Sequence, residues 1–475
     1  MPQAEDKSTL LQTVKLEGGP EFIQLLQVEI SHAVNEFACA KVVLIVTKKV
    51  GEKFLKEADL KKIKITANNG EEVKLFHGCL VGLKLEELPE QILLTLELRD
   101  TSCMLNWKRA SRSFQKLDAK YEDILKTVIG DAGTIKLEKV TDKAIEKIVL
   151  RLNETEWEFT RRMAGKLGAP IFTNIFSEKA AVTLGVPAPQ KTLKLVYNQI
   201  VHTFNDAEFQ FFEKNKKAKA ESLNLVSEDF YSVHVGGCTE YLNLGDKVNV
   251  NNKDYFVKKV SARFVENVLI ASYELVGKTT AFFMPVIPQK NIAGRVFRAQ
   301  VKKVEKDKVQ VHLIDIDEQY EEGTALFPFA TAYSSQDGSG WYAMPEVDDY
   351  VRVLFPSQDT GDAFALSSIN TAPLKEPKNK SIKAPGGREI LLTDKGIEII
   401  AEHEKTFIKI DKGDGISMVS AKNIVINANG NVNFDAKGKI QLVSAKEITA
   451  QSGQSHVKIL SNQIAVGGSN VIVGE

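Results

Sequence analysis

Apolar residues recur every eight positions along the last fifth of the chain. One series starts at Ile408, and a second series runs two positions behind it. Apolar residues at i and i+2 are typical of a strand, because successive side chains point to opposite faces. A fixed period indicates stacked, equivalent units. The predicted core positions are Ile408, Ile410, Ile416, Met418, Ile424, Ile426, Val432, Phe434, Ile440, Leu442 and Ile448.

The eight-residue period is compatible with three arrangements. Eight extended residues span roughly 26 Å, which is one face of a prism rather than a closed turn. Closure needs about three such faces, supplied by three consecutive repeats of one chain or by one repeat from each of three chains. A flat antiparallel meander is the third arrangement, and it buries one face and leaves its edges open. Small residues such as Ser420 and Ala428 favour corners, and hence the closed prism.

The pattern changes several times upstream of the repeat. Residues 10–100 and 181–276 alternate or cluster β-branched residues, which predicts strands. Residues 118–168 show helical spacing, with a first stripe from Tyr121 to Ile129. A second helix is predicted from an Asn153 N-cap to Leu167, ended by Gly168. Its predicted inner face is Trp157, Thr160, Met163, Ala164 and Leu167, while Arg161 and Arg162 are expected on a solvated or ion-paired face.

A strand-rich block, residues 291–370, and a connector rich in Pro, Lys and Gly precede the repeat. The predicted fold class is mainly β. Its predicted parts are a region 1–285 with the helical segment 118–168, a β-domain at 290–372, a linker at 373–387 and the repeat at 388–475.

Composition narrows the classes of function. Lys and Arg number 62, as do Asp and Glu, so the net charge is zero. That balance argues against a surface dominated by nucleic-acid or anionic-membrane binding. The N-terminus lacks a signal-peptide pattern, and no run reaches the about 18 apolar residues that span a bilayer. We expect a chain made in the cytoplasm that needs other machinery to leave the cell.

Candidate chemistry is sparse. The four cysteines form no CxxC pair and are expected to be buried free thiols. The seven histidines are scattered, and no GxSxG, phosphate-loop or HExxH motif is present. Asp315, Asp317 and Glu318 suit a strand entering a turn better than a carboxylate site. We therefore predict no catalytic residues, metal or cofactor, and no enzyme activity.

Five stretches in order resemble the VgrG-type spike proteins of contractile injection systems, the counterparts of the fused hub and spike of contractile phage tails. The stretches are Leu75-Phe76-His77-Gly78 with the strand pair after it, Ser111–Gln115, Asn153–Ala164, Gly340–Asp349, and Val351–Ile369. Each motif is weak alone. Together with the repeat they cover nearly the whole chain.

The resemblance implies a homotrimer with three parts. Residues 1–285 would form a hub with two tube-like β-domains per chain, so that three chains present six to a hexameric inner tube. Residues 290–372 would form an OB-type barrel, and residues 388–475 a three-chain β-prism. The implied function is a structural hub-spike that pierces a target envelope, in a type VI secretion system, an extracellular phage-tail-like particle or a phage tail.

The resemblance also implies partners: the tube protein, baseplate proteins and, transiently, a target membrane, with no nucleic acid. We expect no lysozyme domain of the kind found in some phage spikes, because the linker has no room for one, and we expect no effector domain after Glu475. The end of the repeat lacks paired histidines, so we expect a separate PAAR-type tip protein that carries cargo effectors. Its predicted binding residues are Asn470, Val471, Ile472, Val473 and Gly474. The alternative function is a trimeric tail-fibre-like adhesin, which would need a receptor head.

Overall fold

The computed structural model describes residues 13–57, 61–68, 72–89, 91–214, 225–265, 268–369 and 376–472. The chain forms two compact units, Met1–Thr371 and Ala372–Glu475. It is mainly β, as predicted. The start of the predicted linker, residues 373–375, and the predicted tip residues Val473 and Gly474 lie outside the described residues.

The first unit begins with strands whose side chains alternate between a buried and an exposed face. In the strand Gln91–Asp100, Leu94, Leu96 and Leu98 are buried, while Glu97 and Arg99 are exposed. This alternation gives the sheet one apolar and one polar face. The elements are β1 (Thr13–Glu17), β2 (Gln24–Ala33), β3 (Cys39–Thr47), α1 (Lys48–Lys56), β4 (Lys62–Asn68), β5 (Glu72–Glu87) and β6 (Gln91–Asp100).

Both predicted helices of the 118–168 segment are present, separated by two strands. In the first helix, Tyr121, Ile124, Leu125 and Ile129 are buried, which confirms the predicted stripe. The elements are β7 (Arg109–Phe114), α2 (Tyr121–Ile129), β8 (Gly133–Leu137), β9 (Val149–Thr155), α3 (Glu156–Leu167), β10 (Ile171–Thr173) and β11 (Ala180–Leu184).

Helix α3 begins two residues later than predicted. Thr155, not Asn153, is the N-cap: its side chain accepts a hydrogen bond from the Glu158 amide, and the Glu158 carboxylate accepts one from the Thr155 amide. This reciprocal capping box satisfies two free donors at once, which a lone Asn cap does not. Gly168, at φ 63°, ends the helix as predicted.

Arg162 of α3 is ion-paired, which is one of the two alternatives predicted for it. It is also buried, with 2% of its side chain exposed. Its guanidinium donates to both carboxylate oxygens of Glu154, at 2.7 and 2.6 Å, and to the Leu150 carbonyl.

Cys39 departs from the prediction that all four cysteines are buried. It is exposed, while Cys79, Cys103 and Cys238 are buried. Its position on the polar face of β3 explains the exposure.

A 12-stranded sheet spans the first unit. Its main order is β1-β4-β5-β6-β3-β2-β16-β17-β14-β13, with β12 and β15 joined at the side. Strands β2 and β16 pair antiparallel, with Ile30 opposite Ala262, and join the early strands to the late ones. The remaining elements of this part are β12 (Thr192–Lys194), β13 (Gln199–Phe204), α4 (Asp206–Lys214), β14 (Tyr231–Cys238), β15 (Lys247–Val250), β16 (Lys253–Val265) and β17 (Val268–Val276).

A five-stranded sheet with its own core follows. Val301, Val311 and Val353 are buried in it. A turn precedes Tyr350, in which the Asp349 amide donates to the Glu346 carbonyl at 3.2 Å. The strands, in sheet order β20-β19-β18-β21-β22, are β18 (Arg295–Glu305), β19 (Lys308–His312), β20 (Phe327–Pro328), β21 (Tyr350–Phe355) and β22 (Phe364–Leu366).

The second unit contains two antiparallel meanders. The first sheet has the order β23-β24-β25-β26-β27 and the second β28-β29-β30. Their strands are β23 (Lys380–Lys383), β24 (Glu389–Leu392), β25 (Gly396–Glu402), β26 (Thr406–Asp411), β27 (Gly415–Val419), β28 (Glu447–Ser452), β29 (Ser455–Leu460) and β30 (Ile464–Gly467).

None of the described helices is long and apolar enough to cross a membrane.

Candidate functional site: the apolar face of the second unit

The five-stranded meander of the second unit has one face made of apolar side chains. Directly opposed residues in antiparallel strands share a face. The register places Ile399 opposite both Ile390 and Ile408, and Ile410 opposite both Ile397 and Ile416. We call the resulting surface the apolar face. Its residues are Ile382, Ile390, Leu392, Ile397, Ile399, Ile408, Ile410, Ile416 and Met418.

The apolar face is exposed in the single chain. Ile416 keeps 71% of its surface and Met418 56%. The opposite face is mixed: Glu398 and Lys409 are opposed on it, beside the buried Ile400. A sheet that turns a continuous apolar face to water presents a surface typical of protein–protein contacts.

The turn at Asp411–Gly415 holds the last two strands of this meander in register. One Asp411 carboxylate oxygen accepts hydrogen bonds from the amides of Gly413 and Asp414, at 2.8 and 3.1 Å. The Lys409 ammonium lies 3.2 Å from the other oxygen. These two amides, and then the ammonium, lower the pKa of Asp411 to about 2. Gly415 takes φ 82°, a value that favours glycine.

Between the two meanders, residues 420–446 run without strand pairing to any described residue. The chain bends at 421–422, 429–430, 437–438 and 445–446, once in every repeat. The apolar side chains between the bends are exposed, and Phe434 keeps 73% of its surface. An extended segment with open backbone groups and exposed apolar side chains is a template for pairing with further strands.

The second meander also has an apolar face. The register places Val457 opposite Ala450 and Val466, and Ile459 opposite Ile448 and Ile464. The apolar residues therefore depart from the period of eight: Val457 follows Ile448 by nine positions, and Ile464 follows Val457 by seven. The cause is the tight turn at Gly453, φ 58°, which brings Ser452 opposite Ser455. As a result, His456 and Lys458 occupy the polar face.

The predicted core residues fall into three groups. Ile408, Ile410, Ile416 and Met418 lie together on the apolar face, and Ile448 lies on the second meander. The structure does not bring together the six between them, Ile424, Ile426, Val432, Phe434, Ile440 and Leu442, all of which are exposed.

The predicted core positions do not include the upstream residues of the apolar face, Ile382, Ile390, Leu392, Ile397 and Ile399. Ile397 and Ile408 are eleven positions apart, so these residues do not follow the period of eight. Their own i and i+2 alternation was the available signal. Among the predicted tip residues, Val471 and Ile472 are exposed, and Ile472 keeps 93% of its surface.

Two of the three carboxylates of the possible site, Asp315 and Asp317, are engaged in structural contacts. Asp315 accepts from the Arg298 amide at 2.7 Å and pairs with its guanidinium. Asp317 accepts from the Ser113 amide and hydroxyl, at 2.6 and 2.5 Å, and burial raises its pKa. Within the described ranges, no group of three or more His, Cys, Asp or Glu side chains is placed to hold a metal ion.

Comparison with known sequences gives one family match. The model of the Alg8 N-terminal domain matches residues 6–236. No curated protein matches the chain significantly in sequence.

Solved structures with the same fold are distant in sequence. The E. coli c3393 protein, a component of the type VI secretion system with structural similarity to the T4 bacteriophage tail proteins gp27 and gp5, superposes with a TM-score of 0.56. It is 12% identical, and the match covers 76% of this chain and all of that protein. A chain of the Francisella PdpA-VgrG complex, in its half-lidded form, superposes with a TM-score of 0.54 at 9% identity, covering 86% of this chain and 88% of that one.

These matches extend over most of the chain and confirm the fold that the resemblance implies. The chain has the fold of a VgrG-type hub-spike protein.

Proposed function

We propose that this protein is the structural hub-spike of a contractile injection system, and that it acts as a homotrimer. The apolar face of the second unit is the observation that carries the proposal. A single chain leaves it exposed, while its strand register aligns it as a complete packing surface. Three copies of that face, packed around a threefold axis, form the core of a spike.

Burial of the apolar face supplies the driving force for assembly. Each Ile or Leu side chain that becomes fully buried contributes roughly 1.5–3 kcal/mol. The face repeats in every copy, so a closed trimer buries three equivalent surfaces. Since the second unit has little apolar core of its own, its stability depends on association.

The segment between the two meanders supports pairing between chains more strongly than the meanders themselves do. Residues 420–446 bend once per repeat and leave their backbone groups open. In a three-chain prism, strands from neighbouring copies fill these gaps, so that one hydrogen-bond network includes all three chains. Unfolding one chain then breaks bonds in the others, which suits a part under mechanical load. The proposed unit therefore combines two of the arrangements predicted from the period. It has a meander at each end and a closed prism in the middle.

The first unit suits the hub. Among the described residues its large sheet has three strands paired on one side only, β1, β12 and β13, which strands of further copies can extend. The exposed face of the sheet is polar and balanced in charge: Glu29 is opposite both Arg263 and Lys41, and Lys41 is opposite Glu97. Two tube-like β-domains per chain, arranged as six in a trimer, would match a hexameric inner tube.

The function follows from this assembly. The hub would adapt the sixfold tube to the threefold spike, and sheath contraction would drive the spike through a target envelope. Residues 290–372 are proposed as an OB-type barrel. The partners are the inner-tube protein, baseplate proteins and a PAAR-type tip protein with its cargo. No catalytic step is part of this function, and the protein acts within the injection apparatus.

Electron microscopy of the purified protein tests this function against the adhesin alternative. The hub-spike predicts a short cone on a ring about as wide as a tube. A long thin shaft without a ring would instead identify a fibre-like adhesin.

The tip partner has a separate test. The purified trimer should bind a PAAR-type protein encoded beside it, through the exposed Val471 and Ile472. Ile472→Asp should weaken binding, while Asn462→Asp, in the loop before β30, should leave it unchanged. A trimer that does not associate with its cognate cap would exclude the tip proposal alone.

A further inference from the structure

Two buried cysteines of the first unit lie against each other. Cys79 in β5 keeps 1% of its surface, and Cys103 keeps 2% in the short 3-10 helix Thr101–Asn106 that follows β6. The Cys103 thiol donates a hydrogen bond to the Cys79 sulfur. Of the other two cysteines, Cys39 is exposed and Cys238 is buried in the apolar core of the large sheet.

The strand register brings the 3-10 helix to Cys79. In the pairing of β5 with β6, Cys79 is opposite Arg99, and directly opposed residues share a face. The 3-10 helix begins two residues after Arg99 and contacts β5. A side chain at Gly78 would clash with the Arg99 carbonyl, so glycine lets the two strands approach closely beside Cys79.

The 3-10 helix is fixed at its first turn. The Asp100 carboxylate accepts a hydrogen bond from the Ser102 amide at 2.8 Å. The Thr101 hydroxyl donates to two carbonyls of the loop before β11, at 3.1 and 2.9 Å. Cys103 therefore meets Cys79 in a preformed arrangement, which favours a reaction between the two sulfurs.

The two thiols differ in acidity. The hydrogen bond from Cys103 lowers the pKa of Cys79 against the effect of burial, and the Lys62 ammonium acts in the same direction. The same hydrogen bond, together with burial, raises the pKa of Cys103. Because the thiolate is the reactive form of cysteine, Cys79 is the sulfur suited to be oxidised first.

We propose that Cys79 and Cys103 form a disulfide when a peroxide oxidises the protein, and that this bond ties β5 to the 3-10 helix. A small neutral oxidant such as hydrogen peroxide suits a buried pair, whereas a bulky disulfide reagent does not reach it. This inference does not rest on the proposed function, because it concerns a single chain.

The reaction has two steps. The Cys79 thiolate attacks one oxygen of hydrogen peroxide, the O–O bond breaks, and a sulfenic acid and hydroxide form. The Cys103 sulfur then attacks the Cys79 sulfur, the S–S bond forms, and the sulfenic oxygen leaves as water. The hydroxide takes up the proton that Cys79 lost on ionisation. Two thiols and one peroxide thus give one disulfide and two waters, and the two electrons from the sulfurs reduce the peroxide.

The disulfide would connect the two cores that meet at the 3-10 helix. Leu98, near the end of β6, is buried in the core of the large sheet, while Leu105 of the 3-10 helix is buried with α2 and α3. The bond closes residues 79–103 into a ring, which restricts the unfolded chain. The oxidised protein should therefore unfold at a temperature several degrees higher than the reduced protein.

Peptide mapping of the full-length Cys39→Ser protein tests the proposal. This variant lacks the exposed thiol and retains Cys79, Cys103 and Cys238. After treatment of the native protein with hydrogen peroxide and alkylation in denaturant, we expect one free thiol, at Cys238. Trypsin separates residues 75–84 from residues 100–108, so the disulfide should appear as a linked pair of these peptides that dithiothreitol separates.

Cys238 is the internal control, since it is equally buried and burial raises its pKa to about 11. A linked peptide pair with Cys238 still reduced supports the proposal. Three free thiols after treatment, sulfinic acid at Cys79 without the link, or a link that forms only in denaturant would each overturn it.

A second variant tests the order of the two steps. In Cys39→Ser with Cys103→Ser, the serine hydroxyl keeps a hydrogen-bond donor beside Cys79 but provides no sulfur to resolve it. Peroxide should then leave a sulfenic acid at Cys79 that dimedone traps, with no linked peptides. A dimedone adduct at Cys238 and none at Cys79 would contradict the role given to Cys79.

Discussion

The two units use the same kind of sequence in opposite ways. In the first unit, alternating strands place Leu94, Leu96 and their neighbours in a core that one chain completes. In the second unit the alternation is as regular, yet Ile400 is the one apolar side chain classed as buried among residues 376–472. The difference supports the proposal that the strand register of the second unit is set within one chain, while its core is completed by other copies.

The largest effect is expected from a charge in the shared core. Phe434→Asp would place three carboxylates in one layer of the spike, and an unpaired buried charge costs several kcal/mol. We expect loss of the trimer and of any resistance to SDS or heat, measured by gel mobility with and without boiling. Asn433→Asp is the matched control, because its side chain alternates to the outer face and should leave the trimer unchanged. A heat-resistant F434D trimer would contradict the closed spike.

Hydrogen exchange compares the protection of the backbone amides in the two units. Residues 424–442 have no strand partner within the described chain, so their amides would exchange fast in a monomer. In the assembled protein they should be protected as strongly as β3 and β6 of the hub, because other copies supply their acceptors. In F434D that protection should be lost, while β3 and β6 stay protected. Fast exchange in the assembled protein would rule out interchain strands.

Breaking a buried ion pair inside the first unit should lower the stability of that unit without changing the number of chains in the assembly. Arg162→Leu leaves Glu154 without its buried partner, which should lower the free energy of unfolding of this unit by about 3–5 kcal/mol. Arg109→Leu removes the exposed pair with Glu158, and should cost roughly 0–1 kcal/mol. Denaturant unfolding followed by Trp157 fluorescence measures both. Neither variant should change the number of chains, since both leave the spike core intact.

A further effect concerns pH and again stays within one chain. Burial lowers the pKa of His32 from 6.5 to about 3. Between pH 6.5 and about 3 the unfolded chain therefore binds a proton at His32 that the folded chain excludes. The contribution of neutral His32 to the free energy of unfolding is complete above pH 6.5 and falls as the pH drops. The slope is at most ~1.4 kcal/mol per pH unit.

His32→Gln should remove this slope while keeping a side chain that can bond Thr173. Burial raises the pKa of nearby Asp100, which acts in the opposite direction, so the comparison of parent and variant isolates His32. Equal pH slopes for the two proteins would show that His32 is not the titrating group.

Sequence reasoning predicted most where side-chain periodicity alone decides the structure. The stripe of α2 and the apolar pairs of the repeat both depend on local spacing. It misplaced the start of α3, because the capping box of Thr155 with Glu158 depends on two reciprocal bonds.

Other features depend on which strands become neighbours. The apolar face before Ile408 became visible through cross-strand register, because Ile399 and Ile408 are not related by the period of eight. The burial of Arg162 depends on the fold around Glu154 and Leu150. The exposed aromatics of the loop at Trp341 were present in a motif, but their spatial grouping follows from hydrogen bonds across the hairpin.

The central claim is that the second unit is completed by other copies of the same chain. Native mass spectrometry of the full-length protein at low micromolar concentration tests it most directly. We expect a dominant species with three times the mass of the 52.6-kDa chain, which converts to single chains in the F434D variant. A parent protein that remains a folded monomer, with residues 424–442 protected from exchange, would contradict it.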